Sequence, residues 1–350
     1  MISAQSHTKE WIMGVRELSP KKDPILIEKM IMALTLVENL GFTGLDFIFK
    51  GGTSLLLLLG TPQRFSIDID IILPERSNQD KFLQAVLDQG TFTRFEENKR
   101  SGGLPKQHFK FYFPSVIQNK ESHILLDILF EENPYPSLFP VEIQSSVITL
   151  DGNVSKVICP SLECLLGDKL TAFAPHTTGI PFGKSKELEM AKQLFDVAVL
   201  FDVVDDINLV RSTFYNIAPK ELAYREMNEV TTEDVLWDTF RTSVIIGTRG
   251  STSEKEFSEL VDGIKKMASF VYSGFFSLDS AILCAAKAAY LSALILQEVD
   301  HPDRFKKDQD MSFWTIINPD YNKLNKLKKT SPESFFYFYQ AHHLLDLEKK

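Results

Sequence analysis

The alternation of apolar and polar positions divides the chain into two kinds of segment. Pro24 to Leu40 carries Ile25, Ile27, Ile31, Leu34 and Leu36 at helical spacing and predicts a helix, broken by Gly41 and Gly44. Leu45 to Phe49 reads as a short strand running into Lys50-Gly51-Gly52-Thr53-Ser54, and the leucine run behind it as a short buried helix closed at Gly60-Thr61-Pro62. Arg64 to Leu73 alternates with period two. Phe65, Ile67, Ile69 and Ile71 fall on one face, and Arg64, Ser66, Asp68 and Asp70 on the other. A helix is predicted over Gln79 to Asp88, and strands over Lys106 to Phe113, His123 to Phe130 and Val141 to Val147.

Beyond Cys159-Pro160 the helical period dominates, over Leu162 to Ala174, Lys186 to Phe201, Thr232 to Ile246, Glu254 to Phe270 and Leu278 to Glu298. The expected architecture is therefore an α/β (α+β) mixed-sheet domain over residues 1–158 followed by an α-helical domain over 159–350. A chain of 350 residues is long enough for both.

Composition adds little to this division. At 44% hydrophobic and 24% charged, the chain can bury a core. Three cysteines, Cys159, Cys164 and Cys284, form neither a disulfide framework nor a zinc knuckle. No basic and apolar leader opens the sequence, and the most apolar run, Leu55 to Leu59, is far too short to span a bilayer. The expectation is a soluble, cytoplasmic protein without a membrane partner. A net charge of −9 argues against a protein that coats nucleic acid indiscriminately, although not against one with a local basic groove.

Candidate chemistry lies in the carboxylates. Asp-x-Asp on a strand sets two carboxylates on one face, about 7 Å apart, a span suited to two divalent ions. Alone, the pattern is common and marks a solvated strand edge. Two neighbours alter that reading. Asp127 interrupts the apolar run His123 to Phe130, where a carboxylate is costly unless a cation or hydrogen bonds compensate it, and it reads as a third metal ligand. Gly51-Gly52-Thr53-Ser54 stands as a turn at the mouth of a helix, where backbone amides and hydroxyls suit the phosphates of a nucleotide, and Ser66 joins this set. Mg²⁺, which takes hard oxygen ligands and keeps waters, is the expected ion, and a nucleoside triphosphate the expected substrate.

The run Lys50-Gly51-Gly52-Thr53-Ser54-Leu55, followed by Arg64-Phe65-Ser66-Ile67-Asp68-Ile69-Asp70, resembles the AbiEii/AbiGii nucleotidyltransferase toxin family. These are toxins of type IV toxin–antitoxin and abortive-infection systems, with a polymerase-β-like nucleotidyltransferase fold. Lys169, in Leu165-Leu166-Gly167-Asp168-Lys169-Leu170, and Asp196, in Leu194-Phe195-Asp196-Val197, match the family's Lys and Asp elements. The resemblance implies that Gly51, Gly52, Thr53 and Ser54 grip a triphosphate and that Asp68 and Asp70 bind metal. It implies that Lys169 offsets charge on the leaving pyrophosphate, and that Asp196 orients Lys169 or acts on the acceptor. Read without it, Lys169 is a surface lysine and Asp196 a solvated carboxylate. Lys50 and Arg64 steer phosphate or pair with nearby carboxylates. The implied activity is transfer of a nucleotide to RNA, a tRNA end foremost, with a cognate antitoxin as partner. Transfer to a protein or small-molecule hydroxyl, and a non-catalytic GTP-binding regulator, are the alternatives.

Other signals carry less. Gly179-Ile180-Pro181-Phe182-Gly183-Lys184-Ser185 has three residues between its glycines where a P-loop needs four, and it follows a predicted helix rather than a strand. His342-His343 lack metal-ligand spacing and read as surface residues of a last helix. Lys323, Lys326, Lys328 and Lys329 before Phe335 to Tyr339 read as a solvated face beside a buried aromatic helix, and Lys99 to Lys106 as a basic hairpin.

Overall fold

The computed structural model describes residues 1–18, 22–75, 79–99, 105–272 and 274–347. The chain forms two compact units, Met1–Ser161 with Phe270–Gly274, and Leu162–Ser269 with Phe275–Lys350.

Among the described residues the first unit is built on seven strands: β1 (Ile48–Lys50), β2 (Ile69–Leu73), β3 (Arg94–Glu97), β4 (Lys106–Ser115), β5 (Lys120–Phe130), β6 (Leu138–Glu142) and β7 (Lys156–Pro160). They make one mixed sheet in the order β3-β4-β5-β2-β1-β7-β6. β2 runs parallel to β5 and antiparallel to β1, and β4 runs antiparallel to β5. Register pairs Phe111 with Ile124, Phe109 with Leu126, Leu126 with Ile69, and Ile71 with both Ile128 and Phe49. One face is therefore an unbroken apolar layer, every one of these side chains at most 2% exposed.

Among the described residues the α-helices of this unit are α1 (Lys9–Leu18), α2 (Pro24–Phe42), α3 (Gly51–Leu58) and α4 (Gln79–Leu87). α2 starts with an Asp23 cap on the Ile25 amide and Pro24 in its first turn, a pairing that suits a helix start. Its apolar side chains cover nearly the whole circumference and share a core cluster with the sheet's apolar face. Two buried acids tie α2 down. Glu28 accepts from the Ser115 hydroxyl and the Val116 amide, and Glu38 from the Ile2 amide and the Ser155 hydroxyl.

The second unit comprises α5 (Leu162–Ala172), α6 (Glu187–Val203), α7 (Ile207–Tyr224), α8 (Thr232–Gly247), α9 (Glu254–Met267), α10 (Leu278–Leu296), α11 (Leu327–Thr330) and α12 (Pro332–Leu344). α10 packs against α6, α8 and α12. It is long and apolar enough to cross a membrane by length and composition, but 78% of its apolar window is buried inside the protein, the condition of a core helix. α5 meets α7 closely at Gly167, where a Cβ would lie 2.6 Å from the Val210 carbonyl oxygen.

Several expected elements change. The strand expected over Leu45 to Phe49 is Ile48–Lys50, and the one expected over Arg64 to Leu73 begins only at Ile69. The cause lies elsewhere in the chain: Phe65 donates its amide to the Phe270 carbonyl at 2.8 Å, Tyr272 donates to Gln63 at 2.9 Å, and Arg64 bridges Val271. Residues 63–65 thus pair with a segment expected to end a helix, which instead stops at Met267. The strand expected over Val141 to Val147 is Leu138–Glu142. Not among the expected elements are α1, α7 with Pro219 inside it, the short α11, and the short strands β3 and β7.

Candidate active site

Strand β1 passes into α3 without a connecting residue, so Gly51 is both the end of a turn and the first residue of a helix. The expected Gly-Gly-Thr-Ser turn before a helix is therefore the helix's own first turn. Gly51 has φ +81°, a conformation that disfavours any side chain, and a Cβ there would lie 2.1 Å from Asp70 Oδ2. The Asp70 carboxylate is thus seated against the Gly51 backbone. A Cβ on Gly52 would meet Arg64 Nη2 at 2.4 Å and Ser66 Oγ at 2.8 Å. Backbone, guanidinium and hydroxyl approach one another where no side chain fits between.

Register carries the arrangement sideways across the sheet. Lys50 on β1 pairs with Asp70 on β2, Asp70 with Asp127 on β5, and Asp127 with His108 on β4. Paired positions share a face, so these four side chains form a row across four adjacent strands on the face opposite the apolar layer. All four are half-buried. His108 Nδ1 lies 2.7 Å from Asp127 Oδ1. Lys50, Asp70, Lys106 and Asp127 line a cleft of about 60 Å³. Lys50 Nζ also stands 5.7 Å from the centre of the buried Tyr135 ring. A larger cavity of about 530 Å³ lies at the other ends of these strands, lined by residues such as Asp46, Ile72, Glu131 and Lys156, and holds none of the candidate carboxylates.

Asp68 differs from its expected place. It precedes β2 rather than lying on it, in irregular backbone whose Asp68 carbonyl is bonded by the Thr53 hydroxyl. The Thr53 hydroxyl also lies 2.9 Å from Ser66 Oγ, and the Ser54 hydroxyl donates back to the Gly51 carbonyl at 2.8 Å. Thr53 and Ser54 are fully buried. Both hydroxyls, expected to grip phosphate, are bonded within the protein: that of Thr53 holds the helix start to the Asp68 segment, and that of Ser54 closes the helix's own first turn. Among the described residues no three His, Cys, Asp or Glu side chains are grouped as a metal cluster.

In the second unit α5 and α6 bring Lys169 and Asp196 together. Lys169 Nζ lies 3.0 Å from Asp196 Oδ2 and donates to Gln193 Oε1 at 3.0 Å. Lys169 is 8% exposed and Asp196 1%, which corrects the surface setting their residue types suggest on their own. An ion pair so deeply buried persists only when both partners are well satisfied, and removing either is costly.

Sequence reasoning missed His108 and Gln193, and nothing local marks either one; strand register and helix packing alone bring them to their partners. It also missed His176, whose two ring nitrogens lie 2.7 Å from Asp238 Oδ1 and 2.9 Å from Glu256 Oε1. His342, expected at the surface, is 2% exposed against the ring of Tyr321. Phe335 to Phe338 are buried while Lys323, Lys326 and Lys329 are exposed. Residues 179–185 follow helix α5 with no strand before them. The basic stretch before Lys106 lies largely at 100–104, outside the described residues.

A nucleotide-transferring enzyme is the class to which a Gly-Gly helix start set against an acidic strand belongs, and comparison with known proteins makes the assignment definite. The family of the nucleotidyl transferase AbiEii toxin, of type IV toxin–antitoxin systems, matches residues 35–266. The chain belongs to that family: it is a nucleotidyltransferase, the toxin of a toxin–antitoxin system. Among solved structures, MenT4, a nucleotidyltransferase toxin from Mycobacterium tuberculosis, is 12% identical over 93% of this chain and 98% of its own, with a TM-score of 0.46. JHP933 from Helicobacter pylori is 15% identical over 85% of this chain and 95% of its own, with a TM-score of 0.45. A putative nucleotidyltransferase from H. pylori is 17% identical over 79% and 97%, with a TM-score of 0.45. No curated protein matches the sequence.

Proposed function

We propose that this toxin transfers a nucleoside monophosphate from a nucleoside triphosphate to the 3′ end of an RNA, a tRNA acceptor end foremost, releasing pyrophosphate. The observation that carries the reading is the row Lys50, Asp70, Asp127, with Asp70 packed onto the backbone of the Gly51 helix start. Carboxylates beside a helix N-terminus pair cation-binding oxygens with backbone amides that receive anions. Lys50, a cation at the cap position, has no acceptor with which to occupy those amides.

The donor set fits Mg²⁺: Asp68, Asp70 and Asp127 offer hard oxygens, and Mg²⁺ is held by one or two carboxylates together with waters and substrate phosphates rather than by an all-protein cage. When bound, the ion polarises the phosphoryl oxygens and neutralises developing charge. The Gly51, Gly52 and Thr53 amides receive the triphosphate, with the Thr53 and Ser54 hydroxyls holding that turn in shape. Ser66 supports the same turn through Thr53. Lys169, matched to the family's lysine, offsets charge on the departing pyrophosphate, and Asp196 holds its ammonium in place. The acceptor hydroxyl oxygen attacks the α-phosphorus, and the bond to the bridging oxygen of the β-phosphate breaks.

The test is incubation of the purified protein with each labelled triphosphate, total tRNA and total protein, alongside growth of cells expressing it. Label should enter tRNA, and Asp68→Ala or Lys169→Ala should abolish both incorporation and growth inhibition. Toxicity retained in either variant, or label in protein alone, would overturn the proposal.

A further inference from the structure

The row of side chains across the sheet ends on a residue to which no motif assigns a part. His108 faces Asp127 from β4, its Nδ1 2.7 Å from Asp127 Oδ1 and its side chain 14% exposed, against 29% for Asp127. An ionised carboxylate only accepts, so Nδ1 carries the hydrogen and donates. One carboxylate oxygen is thereby held, and Oδ2 is left for the cleft that Asp127 shares with Asp70 and Lys50.

We infer that His108 is a positioning residue of the transfer reaction, fixing the rotation of the Asp127 carboxylate so that Oδ2 is presented to a divalent cation beside Asp70. This rests on the reading of Asp127 given above. A carboxylate on a strand can turn about its last bond at little cost, and because its two oxygens are equivalent it is the plane of the group that a hydrogen bond to one of them sets. A bonded imidazole removes that freedom. Partners of this kind orient metal-binding carboxylates in general, and their loss typically costs about 10–100-fold in metal affinity or activity. The bond also spans two strands that pair over their whole length, so the donor is held by rigid backbone rather than by a loop.

Side-chain isosteres separate positioning from bulk. The Asn amide nitrogen occupies nearly the place of imidazole Nδ1, whereas the Gln amide reaches toward that of Nε2. His108→Asn should therefore keep Asp127 in place, and His108→Gln and His108→Leu should not. The readouts are Mn²⁺ binding to the full chain, followed by electron paramagnetic resonance without nucleotide, and the Mg²⁺ dependence of nucleotide incorporation. Expected for His108→Leu is about a 10–100-fold weakening of Mn²⁺ binding, with the same rise in half-saturating Mg²⁺. His108→Asn should stay within a few-fold of the parent, and in an Asp127→Asn background His108→Leu should add nothing. Equal Mn²⁺ affinity in the parent and His108→Leu overturns the inference, as does equal weakening by Asn and Leu. The Mn²⁺ titration needs no acceptor, so a protein that modifies something other than RNA fails the functional proposal while still reporting on His108.

Discussion

Replacing Gly51 by alanine puts the site geometry to a direct test. Two costs arise at one atom. Gly51 has φ +81°, and holding an L-residue in a left-handed conformation costs roughly 1–2 kcal/mol. The new Cβ would also lie 2.1 Å from Asp70 Oδ2, 2.9 Å from its Cγ and 3.0 Å from its Cβ. Contact distances for carbon begin near ~3.5 Å, so the carboxylate must retreat by more than about 1 Å. Forced repacking adds about 1–3 kcal/mol, for a total loss of stability of about 2–5 kcal/mol. A displacement of that size at a reacting centre costs on the order of 100-fold in rate. Urea unfolding of parent and Gly51→Ala gives the stability difference, and incorporation of labelled nucleotide at saturating substrate gives the rate. Gly52→Ala is the internal control. It lacks a positive φ, and its Cβ meets the tips of Arg64 and Ser66 rather than Asp70, so it should lose less activity. Gly51→Ala transferring at the parental rate, or proving milder than Gly52→Ala, would refute the reasoning.

Two further predictions concern the helical unit. Asp196→Ala leaves the Lys169 ammonium buried beside the Gln193 amide oxygen with its charge uncompensated by Asp196, and should cost about 3–5 kcal/mol in urea unfolding, much of it recovered in the Lys169→Met/Asp196→Leu double variant while transfer stays lost. Strictly additive single and double losses would argue against a coupled pair. At His176 burial lowers the pKa, but the bonds and charges of Asp238 and Glu256 outweigh it, so the folded value is raised. A group with a raised folded pKa stabilises the protein fully below its unfolded value, about 6.5, and loses that contribution as pH rises through the folded value. Thermal melts of parent and His176→Gln should therefore differ most on the acid side and converge on the alkaline side. The half-exposed ring limits the gap to about 1 kcal/mol or less. A gap that widens with pH would contradict the assignment.

What could be read from the chain by itself was whatever repeats at short range. The strand runs of β4 and β5, the helical runs of α5, α6, α8, α9 and α10 and the buried leucine helix after Gly52 all follow from patterns within about ten residues. The family resemblance rests on motifs of the same reach, Lys50 to Leu55 and Arg64 to Asp70. Asp127 drew notice through its local context, as a carboxylate within an apolar strand.

Contacts between distant segments lay beyond such patterns. Nothing near His108 announces that β4 lies beside β5 in the register that faces it to Asp127, because strand pairing joins residues through the whole sheet. Lys169 and Asp196 have residue types usual at surfaces, and only the packing of α5 on α6 buries them as a pair. Asp68 left its predicted strand because residues 63–65 found partners at 270–272, a competition that no window on the sequence contains. Periodicity records the local backbone state, whereas burial and register are sums over contacts from the entire chain. The two aspartates of the Asp-x-Asp motif were therefore visible in sequence, and their different settings were decided by tertiary structure: Asp70 in the sheet against Gly51, Asp68 on the segment held by Thr53.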